Sequence, residues 1–290
     1  MKLQEWLTAT AQSLESAGVF LGHGTDNYWD EALHLTLPLL AIPFDASPDV
    51  LERVLNETEL ASLHHARKQR IEQRIPTPYI TRQAWFCGMP FYVDERVLIP
   101  RSPIGELIEN MFYPWLQHDP VRILDLCCGS ACIALACAEA FPAATVDASD
   151  LSPDALAVAA INVDKYGSRV NLVESDLFAG LSGRLYDVIV CNPPYVDAQD
   201  MADLPMEYRH EPVMALASGD DGLDFTRRLL REAGDYLTDN GILVVEVGNS
   251  AEALEEAFPR IPFVWLGFER GGDGVFTLTA QDLRQYRDTF

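Results

Sequence analysis

Asn192-Pro193-Pro194-Tyr195 follows the apolar run Val188 to Cys191, and no other group of residues in the chain is so well suited to chemistry. An Asn amide both accepts and donates hydrogen bonds. Two consecutive prolines are rigid and lack N–H donors, so they aim backbone carbonyls where neither helix nor sheet can pair them. Tyr195 adds a flat wall. Such a slot suits a planar, weakly nucleophilic NH2, either an amide or the exocyclic amine of a base. The same four residues could equally be a turn that ends a strand, because proline stops one whatever its purpose. A loop of small residues upstream tips the balance toward the slot.

That loop is Asp125-Leu126-Cys127-Cys128-Gly129-Ser130-Ala131, where a predicted strand gives way to a helix. Small side chains there let the chain turn tightly and let a ligand approach the backbone. A dinucleotide fingerprint needs GxGxxG, and Gly129 is the only glycine here. A phosphate cradle is therefore poorly matched, and a ligand without phosphates fits better. Asp150 lies twenty-one residues beyond Gly129, with Leu151 next to it. A carboxylate at that place meets both hydroxyls of an adenosine ribose. Ser152 and Pro153 already supply an N-cap and a first helical residue, so Asp150 is not needed as a cap. Asp176 is placed to reach an adenine amino group with Leu177 against the ring, though Asp176 reads as well as a turn residue.

The elements that would hold these residues alternate. Short apolar strands at Val121–Leu126, Ala144–Ala148, Val170–Glu174, Val188–Cys191 and Ile242–Val247 are separated by helices at Ala131–Ala140, Pro153–Val163 and Leu223–Leu237. This is the pattern of an α/β fold with a parallel, doubly wound sheet. The tail, Phe263–Phe268 and Gly274–Leu278, reads as an antiparallel pair. Residues 1–83 read as a small helical domain: Leu3, Trp6, Leu7 and Leu14 recur at helical spacing, Trp29 to Leu37 forms a second helix, and Val50, Leu51, Val54, Leu55 and Leu60 repeat the pattern. Residues 84–98, around Gly88-Met89-Pro90, read as a hairpin joining that domain to residues 99–290.

The formal charge of −23 over 290 residues excludes the basic footprint of a nucleic-acid binder and favours a basic protein partner. Arg67, Lys68, Arg70, Arg74 and Arg82 form a local basic run, read as a solvated helix face in preference to a docking patch. Six cysteines lack any CxxC or His-containing ligand spacing, so neither metal nor redox chemistry is expected of them. Met1 to Phe20 lacks the form of a signal peptide, and no run approaches the ~18–20 apolar residues of a membrane span. The expectation is a soluble, cytoplasmic protein with no membrane contact.

The order of glycine loop, ribose acid, Asp176-Leu177 and Asn-Pro-Pro-Tyr resembles the class I S-adenosylmethionine methyltransferases that act on planar amino groups. Leu98-Ile99-Pro100-Arg101, Glu211-Pro212 with Ala215-Leu216, Gly219-Asp220-Asp221-Gly222-Leu223 and Glu246-Val247-Gly248 are similar to words of the glutamine N(5)-methyltransferases. Gly22-His23-Gly24-Thr25-Asp26, Pro100-Arg101-Ser102-Pro103-Ile104 and Phe268 to Phe276 resemble the branch whose target is the large-subunit ribosomal protein L-three. The release-factor branch usually carries Pro-Asp/Glu-Thr-Glu after that arginine. Cys127 and Ala131 depart from the family by standing at usual glycine positions.

The resemblance implies the class I seven-stranded sheet and S-adenosylmethionine bound by Asp125, Cys127, Cys128, Gly129, Ser130, Ala131, Asp150, Leu151, Asp176, Leu177 and Asn192. It also implies that Asn192, Pro193, Pro194 and Tyr195 hold the glutamine amide and carry the transfer. The Asn192 oxygen and the Pro193 carbonyl would accept the two amide N–H bonds. An adenine-N6 DNA methyltransferase uses similar words but would want a basic groove. A non-catalytic binding module would not need the intact slot.

Overall fold

The computed structural model describes residues 1–116 and 118–290. Helices α1 (Leu3–Ser16), α2 (Tyr28–Thr36), α3 (Glu57–Glu72) and α4 (Thr77–Thr81) come first. Leu3, Trp6, Leu7 and Leu14 on one side of α1 close on Ala32, Leu37, Leu55 and Leu63 as a core of their own. Burying side chains of this kind stabilises by about 1.5–3 kcal/mol each. The apolar period from Val50 to Leu60 is not one helix. Residues Pro48–Glu52 form a 3-10 turn, and Asn56 starts α3 afresh. Its side chain accepts from Glu59 N at 2.9 Å while Glu59 reaches back to Asn56 N at 3.0 Å. That reciprocal cap outweighs the apolar spacing across it.

The basic run is not a solvated face throughout. Arg70 is 1% exposed and Arg67 lies over the Trp6 ring at 4.6 Å. The hairpin is short: β1 (Ala84–Phe86) pairs antiparallel with β2 (Met89–Phe91). The chain from Tyr92 to Leu98 is irregular and runs along the later site.

The remaining elements are α5 (Ile104–Glu109), β3 (Arg122–Leu126), α6 (Cys132–Ala140), β4 (Thr145–Asp150), α7 (Pro153–Tyr166), β5 (Asn171–Glu174) and β6 (Tyr186–Cys191). They continue as α8 (Ala198–Asp203), α9 (Asp224–Ala233), β7 (Leu237–Glu246), α10 (Ala251–Ala257), β8 (Val264–Trp265), β9 (Val275–Thr279) and α11 (Ala280–Gln285). The seven-stranded sheet has the order β5-β4-β3-β6-β7-β9-β8. Its first five strands are parallel and β9 is antiparallel to both neighbours. The tail strand expected over Phe263–Phe268 shrinks to the two residues of β8.

Strands β3, β6 and β7 are buried on both faces, as continuous Ile/Leu/Val runs require. One apolar cluster fills the side of α5 and α6, another the side of α9, α10 and α11. The chain winds outward from β3 through β4 to β5, then returns to lay β6 on the other side of β3. A crevice opens beyond the carboxyl ends of strands where the winding reverses. The loops after β3, β4 and β6 all empty into it.

Candidate active site

A cleft of about 140 Å3 opens at this reversal. Cys127 and Gly129 reach it from the loop after β3, Asp150 and Leu151 from the end of β4, and Asn192 and Pro194 from the end of β6. Three stretches far apart in sequence thus meet because their strands lie side by side.

The loop after β3 turns through left-handed backbone at Cys127 (φ 62°), Gly129 (φ 51°) and Ala131 (φ 61°). Two of these, Cys127 and Ala131, carry a Cβ in a conformation that favours glycine. Asp150 locks the loop to the next one. Its Oδ2 accepts from Gly129 N and its Oδ1 from Ser152 N, both at 2.9 Å. Ser152 is indeed the N-cap of α7, accepting from Ala155 N at 3.2 Å. Asp150 is therefore not free of structural duty, but each oxygen keeps a lone pair for a ligand. Burial pushes its carboxyl upward, against the three backbone donors that favour the ionised form.

Asp125, Cys128, Ser130 and Ala131 do not line the cleft; all four are buried beneath the loop. Asp125 accepts from Ala134 N at 2.9 Å, at the start of α6, and burial pushes it up to about 8. Nor does the structure bring Asp176 and Leu177 to the lining. Asp176 pairs at the surface with Arg228 at 2.9 and 3.0 Å. Leu177, at φ 49°, turns into the core below β6. The turn after β5 uses this dipeptide to reverse the chain, with Ser175 Oγ donating to Leu177 O.

Asn192 Oδ1 is buried with no hydrogen-bond partner among the described residues. A buried, unpaired acceptor is costly unless something else supplies a donor. Pro193 is buried, Pro194 meets the cleft, and Tyr195 is partly buried outside its lining. The chain beyond is pinned: Val196 N donates to Leu216 O at 2.8 Å and Ser218 N to Val196 O at 2.9 Å.

Four functional contributors escaped reading as such. Val97 and Leu98 form one wall of the cleft, and Pro212 and Met214 another. Arg101 joins these walls through a forked ion pair with Glu211 at 2.6 and 2.7 Å, and Ile99 N donates to the same carboxylate at 2.9 Å. Burial opposes ionisation of Glu211, but His23 and Arg101 outweigh it and hold the carboxyl at about 2. His23 Nε2 stands 3.5 Å from Glu211 Oε2, long for a hydrogen bond, so Arg101 does most of this. The family-like words around Arg101, Glu211 and Glu246 were the available signal.

Arg101 and Ser102 also face a second depression, with Gly24, Trp85, Glu106 and Arg270. It borders a third that holds His23, Thr25 and Glu31, and Gly24, Trp85 and Pro100 belong to both. The Gly22–Asp26 loop and the Pro100–Ile104 turn, distant in sequence, thus form one groove beside the cleft.

Residues 109–209 match the methyltransferase small domain family. With its strand order and its crevice, the chain is an α/β methyltransferase of class I. It is 46% identical over 293 aligned residues to "Ribosomal protein uL3 glutamine methyltransferase" of Francisella tularensis subsp. tularensis, covering 99% of this chain and 93% of that protein. It is 46% identical over 286 residues to the protein of the same name from Neisseria gonorrhoeae, covering 97% of this chain and 95% of that one. The chain belongs to this family of glutamine methyltransferases. Among solved structures, a methyltransferase from Pyrococcus furiosus is similar at 18% identity and a TM-score of 0.49, covering 78% of this chain and 99% of that chain. No helix among the described residues is long and apolar enough to cross a membrane.

Proposed function

We propose that the chain transfers a methyl group from S-adenosylmethionine to the side-chain amide nitrogen of a glutamine in ribosomal protein uL3. The observation that carries this reading is Asn192 Oδ1, a buried acceptor without a partner among the described residues, at the rim of a cleft that also presents Asp150 and the Gly129 loop. An amide NH2 supplies the missing donor.

The donor set fits the cofactor. Asp150 would hold the ribose hydroxyls, and Cys127 and Gly129 let a ligand come close to backbone. When bound, S-adenosylmethionine supplies a methyl group on a cationic sulfur, a strong leaving group. The chain's own task is alignment. A glutamine nitrogen is a poor nucleophile because its lone pair is shared with the carbonyl. Asn192 Oδ1 and the Pro193 carbonyl would accept its two N–H groups, fix the nitrogen in line and stabilise positive charge growing there. No general base is required, since the methylated nitrogen is acidic and sheds its proton afterwards.

Residues 1–83, with the groove at Gly24 and Trp85, would select the protein target, because an amide alone cannot specify one partner. A surface of net charge −23 suits a basic ribosomal protein and not a nucleic-acid backbone. The test is transfer of labelled methyl to purified uL3, with the modified residue located by peptide mass. Label on nucleic acid, or on no glutamine of uL3, would overturn the reading.

A further inference from the structure

Glu246 ends β7 and is 4% exposed. Ser102 Oγ donates to its Oε2 at 2.6 Å and Tyr195 OH to its Oε1 at 3.0 Å. Arg101 acts on it through space, without forming an ion pair. A buried carboxylate lacking a paired cation is destabilising, and an apolar residue of similar size would fold better. Its presence calls for a reason other than stability.

The partners supply one. Tyr195 is gripped at three points. Its hydroxyl reaches Glu246, its backbone carbonyl accepts from Ser250 Oγ at 2.7 Å, and its ring lies against Gly248. A Cβ at Gly248 would come within 2.6 Å of that ring, so the glycine is what lets it approach. Ser102 belongs to the turn whose preceding residue, Arg101, holds Glu211 and with it the Pro212 wall. Two adjacent residues of one turn therefore reach both halves of the site.

We propose that Glu246 is a positioning residue that ties the Tyr195 hydroxyl to the Arg101–Ser102 turn and so fixes the tyrosine wall of the acceptor slot. The inference rests on the amide-slot reading above. The two donors reach different oxygens, and only the ionised carboxylate accepts at both. A protonated carboxyl or a carboxamide must donate with one of its two atoms, so one anchor reverses or is lost. Burial pushes Glu246 up to about 7, against the hydrogen bonds from Ser102 and Tyr195 and the charge of Arg101. Burial raises both the Tyr195 phenol and the Cys191 thiol on β6, while Arg101 stays charged.

The experiment compares full-length wild type with Glu246→Gln, Tyr195→Phe and the double variant, measuring kcat against pH together with cofactor affinity. Wild-type kcat should fall as pH drops through about 7. Glu246→Gln should lack that limb and run about tenfold slower above it, as loss of one charge-assisted hydrogen bond predicts, with cofactor affinity within about twofold. Tyr195→Phe, nearly isosteric, should lose a similar factor, and the double variant no more than either single change. A wild-type pH profile in Glu246→Gln, additive losses, or a slowing matched by weaker cofactor binding would overturn the proposal. The acceptor is whichever protein the wild type methylates in ribosomal extract, so failure on uL3 counts against the proposed function alone.

Discussion

Arg70 Nη1 lies 3.2 Å from Glu207 Oε1, joining α3 to the segment that follows the Asn-Pro-Pro-Tyr turn. The same guanidinium donates to Glu31 at 2.6 Å and to Phe20 O at 2.6 Å, and Phe20 N donates to Glu207 at 3.0 Å. The first helices are thus wired into the segment that leads to Glu211 and the Pro212 wall of the cleft.

Arg70→Met should therefore destabilise the whole chain by about 3–5 kcal/mol, since it leaves Glu31 buried without its cation and Glu207 with only Arg74 at 3.6 Å. Denaturant unfolding checks this. Removal of residues 1–83 should weaken cofactor binding as well as target choice, because Glu207 would lose Arg70 and Phe20 together. A truncated protein that binds the cofactor as tightly as the full chain would show the two parts to be independent.

Asn192→Ala should slow single-turnover transfer by about 10²–10³, the cost of one preorganised contact worth ~2.7–4 kcal/mol. Cofactor affinity should change far less. Rapid-quench methylation and calorimetry, run side by side, separate the two; turnover near the wild-type rate would remove Asn192 from the chemistry.

Asp150→Ala should act in the opposite sense. It removes charge-assisted hydrogen bonds worth roughly 1.5–3 kcal/mol, so the cofactor dissociation constant should rise about ten- to hundredfold. Because Asp150 also holds Gly129 N and Ser152 N, a lower melting temperature is expected too. Unchanged affinity in the calorimeter would leave Asp150 as a loop lock only.

Acid should unfold the protein through Glu211. Its carboxyl is depressed from an ordinary 4.5 to about 2, so its contribution is full above 4.5 and is lost as pH falls toward about 2. A shift of that size corresponds to about 3 kcal/mol. Glu211→Gln should flatten the pH dependence of denaturant midpoints in that window. A slope as steep as in wild type would place the acid sensitivity elsewhere.

The parts legible in the sequence were those whose signal is local. Val188 to Cys191 reads as a buried strand because its neighbours in the sheet demand continuous apolar residues, and prolines mark where it ends. Asp150 could be placed by counting from Gly129. Long-range pairs leave no local trace. Arg70 looks like any exposed cation until Glu31 and Glu207 are seen beside it, and nothing near Asp176 in the sequence announces its surface pair with Arg228. Asn56 hid in the opposite way, its cap interrupting an apolar rhythm that the eye continues across it.

Cys127 and Ala131 hold left-handed backbone without being glycine. A side chain there costs about 1–2 kcal/mol in the folded state. Glycine at either place would relieve that cost but return about 0.4–1 kcal/mol of freedom to the unfolded chain. The two effects oppose each other, so melting temperature is a poor gauge of what these residues contribute. Their Cβ atoms narrow the range of shapes the loop can visit. A ligand meeting a stiffer loop gives up less disorder on binding, and that difference would register in the entropy of association before it registered in stability.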